Sequence, residues 1–169
     1  MLIEDLDVNK LTIVNILDII GYYGPLIVIV IVVWALHAHF KYMVLYIVFV
    51  LVNNALNRGL KLWIMEDRPS DPIPFSKYES YVGAEHYGMP SGHASAIGFS
   101  LMFLAFVNTK SWWLLVVGCI GILTCIQRWK YRRHTIEQIC VGLITGGLSA
   151  WIVYLCATKY ITSNIYVTR

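Results

Sequence analysis

The sequence predicts an all-α integral membrane bundle of about five transmembrane helices preceded by a short interfacial helix, and three observations carry that prediction. Hydrophobic residues make up 58% of the chain and charged ones only 14%, with a mean hydropathy of +0.64, far from the balance of a soluble domain. Apolar stretches cover residues 24–40, 42–57, 94–107, 111–126 and 138–158, each near the length a helix needs to cross ~30 Å of hydrocarbon. Charged or proline-bearing breaks separate them.

In chain order, residues 6–20, "LDVNKLTIVNILDII", set Leu6, Ile13, Leu17 and Ile20 near one face and Asn9, Asn15 and Asp18 elsewhere. That pattern suits an amphipathic helix lying at the interface within an N-terminal segment of residues 1–21. Glu4, Asp5 and Asp7 are unlike the basic start of a secretory signal, so the first span is expected to be retained. Gly21 to Pro25 turn the chain into that span. The breaks "HFKY" and "NTKS" are short enough to make spans one and two, and three and four, antiparallel neighbours. Between spans two and three lies the one long polar segment, residues 62–90, with Pro69, Pro72, Pro74 and Pro90. Counting crossings puts the amino terminus, this loop and the 128–137 loop on one face. No repeat or second domain is visible, so residues 1–169 form a single membrane-embedded domain that must contain any site.

Several function classes recede at this point. Cys119, Cys125, Cys140 and Cys156 fall inside the expected helices, in neither a zinc-ligand spacing nor a disulfide framework, and read as small apolar fillers. A net charge of +3 with dispersed lysines and arginines does not fit nucleic-acid binding. His37 and His39 make only a weak ligand pair, on the face opposite the polar loops, and the aqueous segments lack the carboxylate and histidine cluster of a two-metal hydrolase. No metal or other cofactor is expected.

Three polar clusters share one face. In "NNALNRGLKLWIMEDRP", Asn53, Asn57 and Lys61 recur every four residues along one side of span two, with Asn54 and Arg58 beside them. The asparagines read either as interhelical hydrogen bonds or as part of a site, and Lys61 either as a snorkelling anchor or as a ligand for an anion. In "YGMPSGHASA", Ser91 is placed to cap a helix, Gly92 allows close backbone approach, and the free N–H groups of the first turn form an anion site. His93 sits in that turn, where it can give or take a proton. In "TCIQRWKYRRHTIEQ", Arg128 reaches the membrane surface and His134 opens the next helical pattern, with Glu137 and Gln138 three and four residues on. Either can fix one ring nitrogen of His134 and leave the other free as a nucleophile. Lys130, Arg132 and Arg133 read as an anionic-lipid anchor. Together, two histidines, Lys61, Arg68 and Arg128 supply positive donors for phosphoryl oxygens, a nucleophile for phosphorus and an acid for the leaving oxygen.

These residues also resemble the signatures of the type 2 phosphatidic acid phosphatase (PAP2) superfamily. Lys61, followed after six residues by Arg68 and Pro69, looks like the first signature, "PSGH" at 90–93 the second, and Arg128 with His134 the third. The resemblance implies that Lys61, Arg68, Ser91, Gly92 and Arg128 hold the phosphate, that His134 attacks phosphorus, and that His93 protonates the leaving group. Two positions depart from the family pattern. Gln127 stands where a serine precedes the third-signature arginine, and Gln138 where an aspartate orients the nucleophile. "HTIEQICVG" is similar to the dolichyl diphosphate phosphatase branch, which carries a glutamine there.

The expected function is therefore metal-independent hydrolysis of a lipid phosphate or diphosphate through a phosphohistidine, with a polyprenyl or dolichyl diphosphate favoured. A phosphatidic acid or glycerolipid phosphate phosphatase, a lipid phosphotransferase and a non-catalytic lipid-binding membrane protein are the alternatives. The expected partner is the lipid substrate, with no nucleic acid and no protein partner indicated. All ten acidic residues fall on the site face, and the opposite face holds only Lys41, Lys110, Lys159 and Arg169. The positive-inside count favours a cytoplasmic site, whereas the family resemblance implies a lumenal or exoplasmic one, which is adopted.

Overall fold

The computed structural model describes residues 13–73, 75, 82–107 and 111–166. Its helices are α1 (Ile13–Tyr22), α2 (Gly24–Ala35), α3 (Phe40–Ile64), α4 (Gly92–Phe106), α5 (Ser111–Lys130) and α6 (Ile136–Tyr166), with a 3-10 turn at Gly83–His86. Residues 6–12 of the expected interfacial helix and Pro74 of the polar segment lie outside the described residues.

Five comparable spans are not what forms. Among the described residues, only α3, α5 and the part of α6 up to Lys159 are long and apolar enough to cross a membrane, and α1 with α2, bent by 70°, adds a fourth at most. The first expected span stops at Ala35, short of Phe40. There the His37 ring donates through Nδ1 to the Trp34 carbonyl at 2.7 Å, satisfying one of the acceptors a helix end leaves open. Twelve residues at 1.5 Å each give α2 a length of ~18 Å, and the fifteen of α4 give ~22 Å. The 94–107 stretch agrees with α4 to within two residues at each end, so it is the first expected span alone that comes out shorter than its hydropathy suggests.

Contact registers set the helix directions. Ser91 and Ser95 on α4 meet Gly142 and Gly146 on α6, and Phe106 stacks on Tyr154, so these two helices run parallel. Tyr46, Asn53 and Asn57 on α3 meet Ser100, Ser95 and Pro90 in reverse order. His93 and Ile97 on α4 meet Arg128 and Gly121 on α5, again antiparallel. The carboxyl ends of α3 and α5, the amino ends of α4 and α6 and the α1–α2 bend therefore converge at one end of the bundle.

Packing is inverted relative to a protein in water. Asn53, Asn57, Ser95, Ser100, Thr124 and Gln127 are buried, while Trp63 is 80% and Leu115 70% exposed. Lipid cannot satisfy polar groups, and most of these pair inside: Tyr46 OH lies 2.8 Å from Ser100 Oγ, and Asn53 donates to Ser95 Oγ at 3.1 Å, whereas the Gln127 amide has no hydrogen-bond partner among the described residues. The hydrogen-bonding reading of the two asparagines fits these contacts. The cysteines differ from expectation, since Cys119, Cys140 and Cys156 lie on the outer surface rather than filling the core. On α1, Leu17 is exposed and Asp18 buried. The amphipathic pattern thus turns its polar side towards the protein. Asp18 accepts from Lys130 Nζ at 2.6 Å and from Tyr131 OH at 3.1 Å, anchoring α1 to the end of α5. The chain is a multi-pass integral membrane protein.

Candidate active site

Local sequence builds each part of the convergent end. Ser91 caps α4, its Oγ accepting from Ala94 N–H at 3.5 Å. Thr135 and Gln138 form a reciprocal capping box at the start of α6. Thr135 Oγ1 accepts from Gln138 N–H, and Gln138 Oε1 from Thr135 N–H, both at 3.2 Å. The Gln138 backbone carbonyl also accepts from Ser91 N–H at 3.0 Å, joining the starts of α4 and α6.

His134 stands two residues before α6 and is buried. Its Nδ1 lies 3.3 Å from Gln138 Oε1, and its Nε2 lies 3.3 Å from Arg68 Nη1. A guanidinium only donates, so Nε2 carries the lone pair and Nδ1 the proton. Burial, and then the charges of Arg68, Lys61, Arg128 and the neighbouring His93, hold its pKa well below 6.5. The imidazole is therefore neutral at physiological pH, with the nucleophilic form of Nε2 directed at a cation. His93 is arranged in the same way: its Nε2 lies 3.1 Å from Arg128 Nη1, and its ring hydrogen-bonds the Tyr22 backbone.

Arg68, Gly92, His93, Arg128 and His134 all line one cavity of about 520 Å3. Its inner end also receives Glu85 and Arg133, and its flank is formed by Leu26, Ile29, Val50 and Leu51 of α2 and α3. Lys61 and Ser91 do not reach that lining. Lys61 is fully buried behind it, donating to the Tyr87 carbonyl at 2.7 Å and lying 3.7 Å from Glu85 Oε2. Arg68 is fixed by donating to the Glu85 carbonyl at 3.0 Å and the Arg133 carbonyl at 2.9 Å. Of the two candidates for orienting His134, Gln138 holds Nδ1, while Glu137 is exposed on the first turn of α6.

Three contributors go beyond the sequence reading. Arg133, grouped there with a lipid anchor, is only 2% exposed and lines the cavity; Lys130 of the same run pairs with Asp18. Arg132 and Lys130 both keep exposed positions compatible with an anchor. Glu85, 3.5 Å from Arg68 Nη2, is a counter-charge held in a turn that no periodicity marks. Tyr22 comes from α1: its ring centre lies 5.3 Å from the Arg128 guanidinium carbon and stacks on Phe75 at 4.7 Å. The capping box was visible in the sequence as Thr135-x-x-Gln138 and would have separated Gln138 from Glu137. Among the described residues, no group of three or more His, Cys, Asp and Glu side chains is disposed to hold a metal ion.

This constellation has relatives. A dolichyldiphosphatase of Saccharomyces cerevisiae (strain ATCC 204508 / S288c) is 25% identical over 115 residues, covering 62% of this chain and 47% of the relative, so the chain spans about half that protein's length. The crystal structure of a transmembrane PAP2-type phosphatidylglycerolphosphate phosphatase from Bacillus subtilis superposes with a TM-score of 0.65 at 22% identity, over 86% of this chain and 76% of the other, which shows a common fold. The family model of the PAP2 superfamily matches residues 41–161, taking in the Lys61 to Pro69, Pro90 to His93 and Arg128 to His134 segments that meet at the cavity, and the chain belongs to that superfamily.

Proposed function

We propose that the chain is a membrane lipid phosphatase acting through a phosphohistidine on His134, with a glycerolipid phosphate as its leading substrate class. The observation that carries this reading is the pairing of each histidine Nε2 with an arginine, His134 with Arg68 and His93 with Arg128, in a cavity with an apolar flank. A phosphoryl group accepting from both guanidiniums takes the place of the two imidazoles and frees both Nε2 atoms. The Nε2 lone pair of His134 then forms the N–P bond as the bond from phosphorus to the leaving oxygen breaks. The electron pair stays on that oxygen, which takes a proton from His93, charged in the presence of the bound anion. In the second step a water gives a proton to His93 and its oxygen to phosphorus, the N–P bond breaks, and phosphate leaves with His134 restored. Arg68, Arg128, Arg133 and the Gly92 backbone compensate the charge of the transferring group, with Lys61 acting from behind through its field. No step requires a metal ion.

The substrate side follows from the flank. Leu26, Ile29, Val50 and Leu51 continue the cavity along α2 and α3, a path suited to a lipid tail while the headgroup meets the arginines. The solved relative that covers most of this chain acts on a glycerolipid phosphate by name, which supports that class. A prenyl diphosphate is the second reading, favoured by the similarity to the yeast dolichyldiphosphatase. We also propose that the site faces the lumenal or exoplasmic side. A membrane-impermeant thiol reagent reaching a cysteine at position 77 only in inside-out vesicles would refute that orientation.

The test compares wild type and His134→Ala, purified in detergent, for phosphate release from phosphatidic acid, farnesyl diphosphate and a long-chain prenyl diphosphate, with chelator present. Turnover should persist in chelator, be abolished by the substitution, and be fastest on phosphatidic acid. Undiminished release by His134→Ala would overturn the mechanism; a preference for the diphosphates would overturn only the substrate class.

A further inference from the structure

Gln138 stands where the superfamily places a carboxylate, and its surroundings hold one nearby. Its Nε2 donates to Glu66 Oε1 at 2.8 Å and to the Asp67 carbonyl at 2.8 Å. Its Oε1 accepts from Thr135 N–H at 3.2 Å and from the His134 Nδ1–H at 3.3 Å. All four hydrogen-bonding positions of the amide are used, and they are not interchangeable. Flipped, the oxygen would face a carboxylate and a carbonyl, two acceptors, while the NH2 would face two donors. Glu66 is itself held through its backbone, where its carbonyl accepts from Gly88 N–H at 2.7 Å.

We propose that Glu66 is a positioning residue for His134, acting through Gln138 as a two-link relay from carboxylate to amide to imidazole. The inference rests on the histidine mechanism above and extends it to a residue that the first signature spans but does not specify. Glu66 locks the amide so that its oxygen faces Nδ1, which keeps the His134 proton on Nδ1 and the lone pair on Nε2. Its negative charge polarises the amide, strengthening the acceptor as positive charge develops on the ring during N–P bond formation. Gln138 is then no weakened aspartate. A carboxylate at position 138 would face Glu66 at hydrogen-bonding distance and be repelled, so the amide is the side chain that Glu66 requires.

The test uses Glu66→Gln, Gln138→Glu, and the exchange carrying both, on the full chain, with whichever of phosphatidic acid and farnesyl diphosphate the wild type hydrolyses faster. Glu66→Gln keeps the shape and an acceptor for the Gln138 amide but removes the charge. Its kcat should fall roughly five- to tenfold, the difference between a charged and a neutral hydrogen bond, with KM within about twofold because no phosphate donor is lost. Gln138→Glu should fall further, and the exchange should recover about tenfold over it by restoring one amide and one carboxylate. A merely structural role for Glu66 would not produce that recovery. Wild-type kcat in Glu66→Gln, or an exchange no better than Gln138→Glu alone, overturns the relay; should Glu66→Gln not fold, the second comparison decides. If His134→Ala is inactive while Glu66→Gln is unchanged, the relay alone fails. If His134→Ala keeps turning over, the histidine mechanism fails with it.

Discussion

Gly88 offers a way to disturb the His134 orientation without touching any group that meets substrate. A Cβ built on Gly88 would lie 2.5 Å from both Nε2 and Oε1 of Gln138 and 2.7 Å from its Cδ. Ordinary contact begins near 3.4 Å, so Gly88→Ala demands a displacement of ~0.9 Å between that methyl and the amide. The backbone cannot readily supply it, because Gly88 N–H is bonded to the Glu66 carbonyl at 2.7 Å. The amide must move instead, and its bond to His134 Nδ1, already 3.3 Å long, is the first to open. Losing one such bond inside the protein costs ~1–3 kcal/mol, and a free imidazole rotor adds misalignment, so kcat should fall roughly 10- to 100-fold. KM should change little, since Arg68 and Arg128 keep their places. The assay is steady-state phosphate release in mixed micelles, with thermal unfolding measured in parallel. Gly59→Ala is the control, as nothing lies within 4 Å of its added methyl. Wild-type kcat in Gly88→Ala would refute the claim that the Gln138 amide sets the His134 ring.

Two further outcomes follow from the site. The folded-state pKa of His134 is depressed below 6.5 by burial first and Arg68 second, so neutral His134 persists below the pH where a free histidine charges. The acid limb of kcat/KM should fall below pH 6.5, and stability from this group, full above 6.5, should decline as pH drops towards the folded value. Arg68→Gln removes a positive neighbour and should move the limb upward; titration of the His134 ring by NMR reads the shift directly, and an unmoved limb would contradict the assigned cause. Arg133→Met should reduce kcat/KM by roughly 100-fold, the loss associated with removing a donor to a charged transition state, whereas Arg132→Gln, exposed, should leave it within about twofold. Equal effects of the two substitutions would return both arginines to the lipid-anchor reading.

How much of this was legible in the sequence depended on the range of the interaction. That His93, His134, Arg68, Arg128 and Gly92 meet at one cavity was legible because each sits near a helix end marked by a cap, a proline or a polar run. Arg133 was not, because a basic cluster next to an apolar span looks the same whether its members enter a site or touch lipid headgroups. Asp18 and Lys130 are 112 positions apart, and no local pattern links an acid in one amphipathic helix with a lysine at the end of another. The four-residue spacing put Lys61 on one face of α3 with Asn53 and Asn57, but whether its ammonium enters the cavity or stops behind Glu85 depends on where the 82–90 segment folds back. The length of the first span was misjudged for a different reason: hydropathy registers the absence of water, and does not mark where a helix stops within a dry region.

The closeness of α4 to α6 explains how one glycine-rich face can govern the chemistry of two histidines. A Cβ on Gly142 would lie 2.6 Å from the Ser91 carbonyl oxygen and 3.0 Å from Ala94 Cβ, and Gly146 faces the Ser95 carbonyl and Phe99 N–H in the same way. These neighbours are backbone, which cannot swing aside, so the two helices are as near as their main chains permit. Both start at the same end, and the Ser91 N–H to Gln138 carbonyl bond at 3.0 Å fixes their relative height. His93 lies in the first turn of one, and His134 just precedes the first turn of the other. Their separation is thus set by main-chain contact between two rigid elements rather than by loop conformation, which in the mechanism we propose keeps the nucleophile and the proton donor on opposite sides of one phosphorus atom. Arg68 and Arg128 come from other elements, and α1 covers Arg128 with Tyr22. In the mechanism we propose, the α4–α6 pair fixes the two histidines, while Arg68 from the polar segment and Arg128 from α5 bring the positive charge to them.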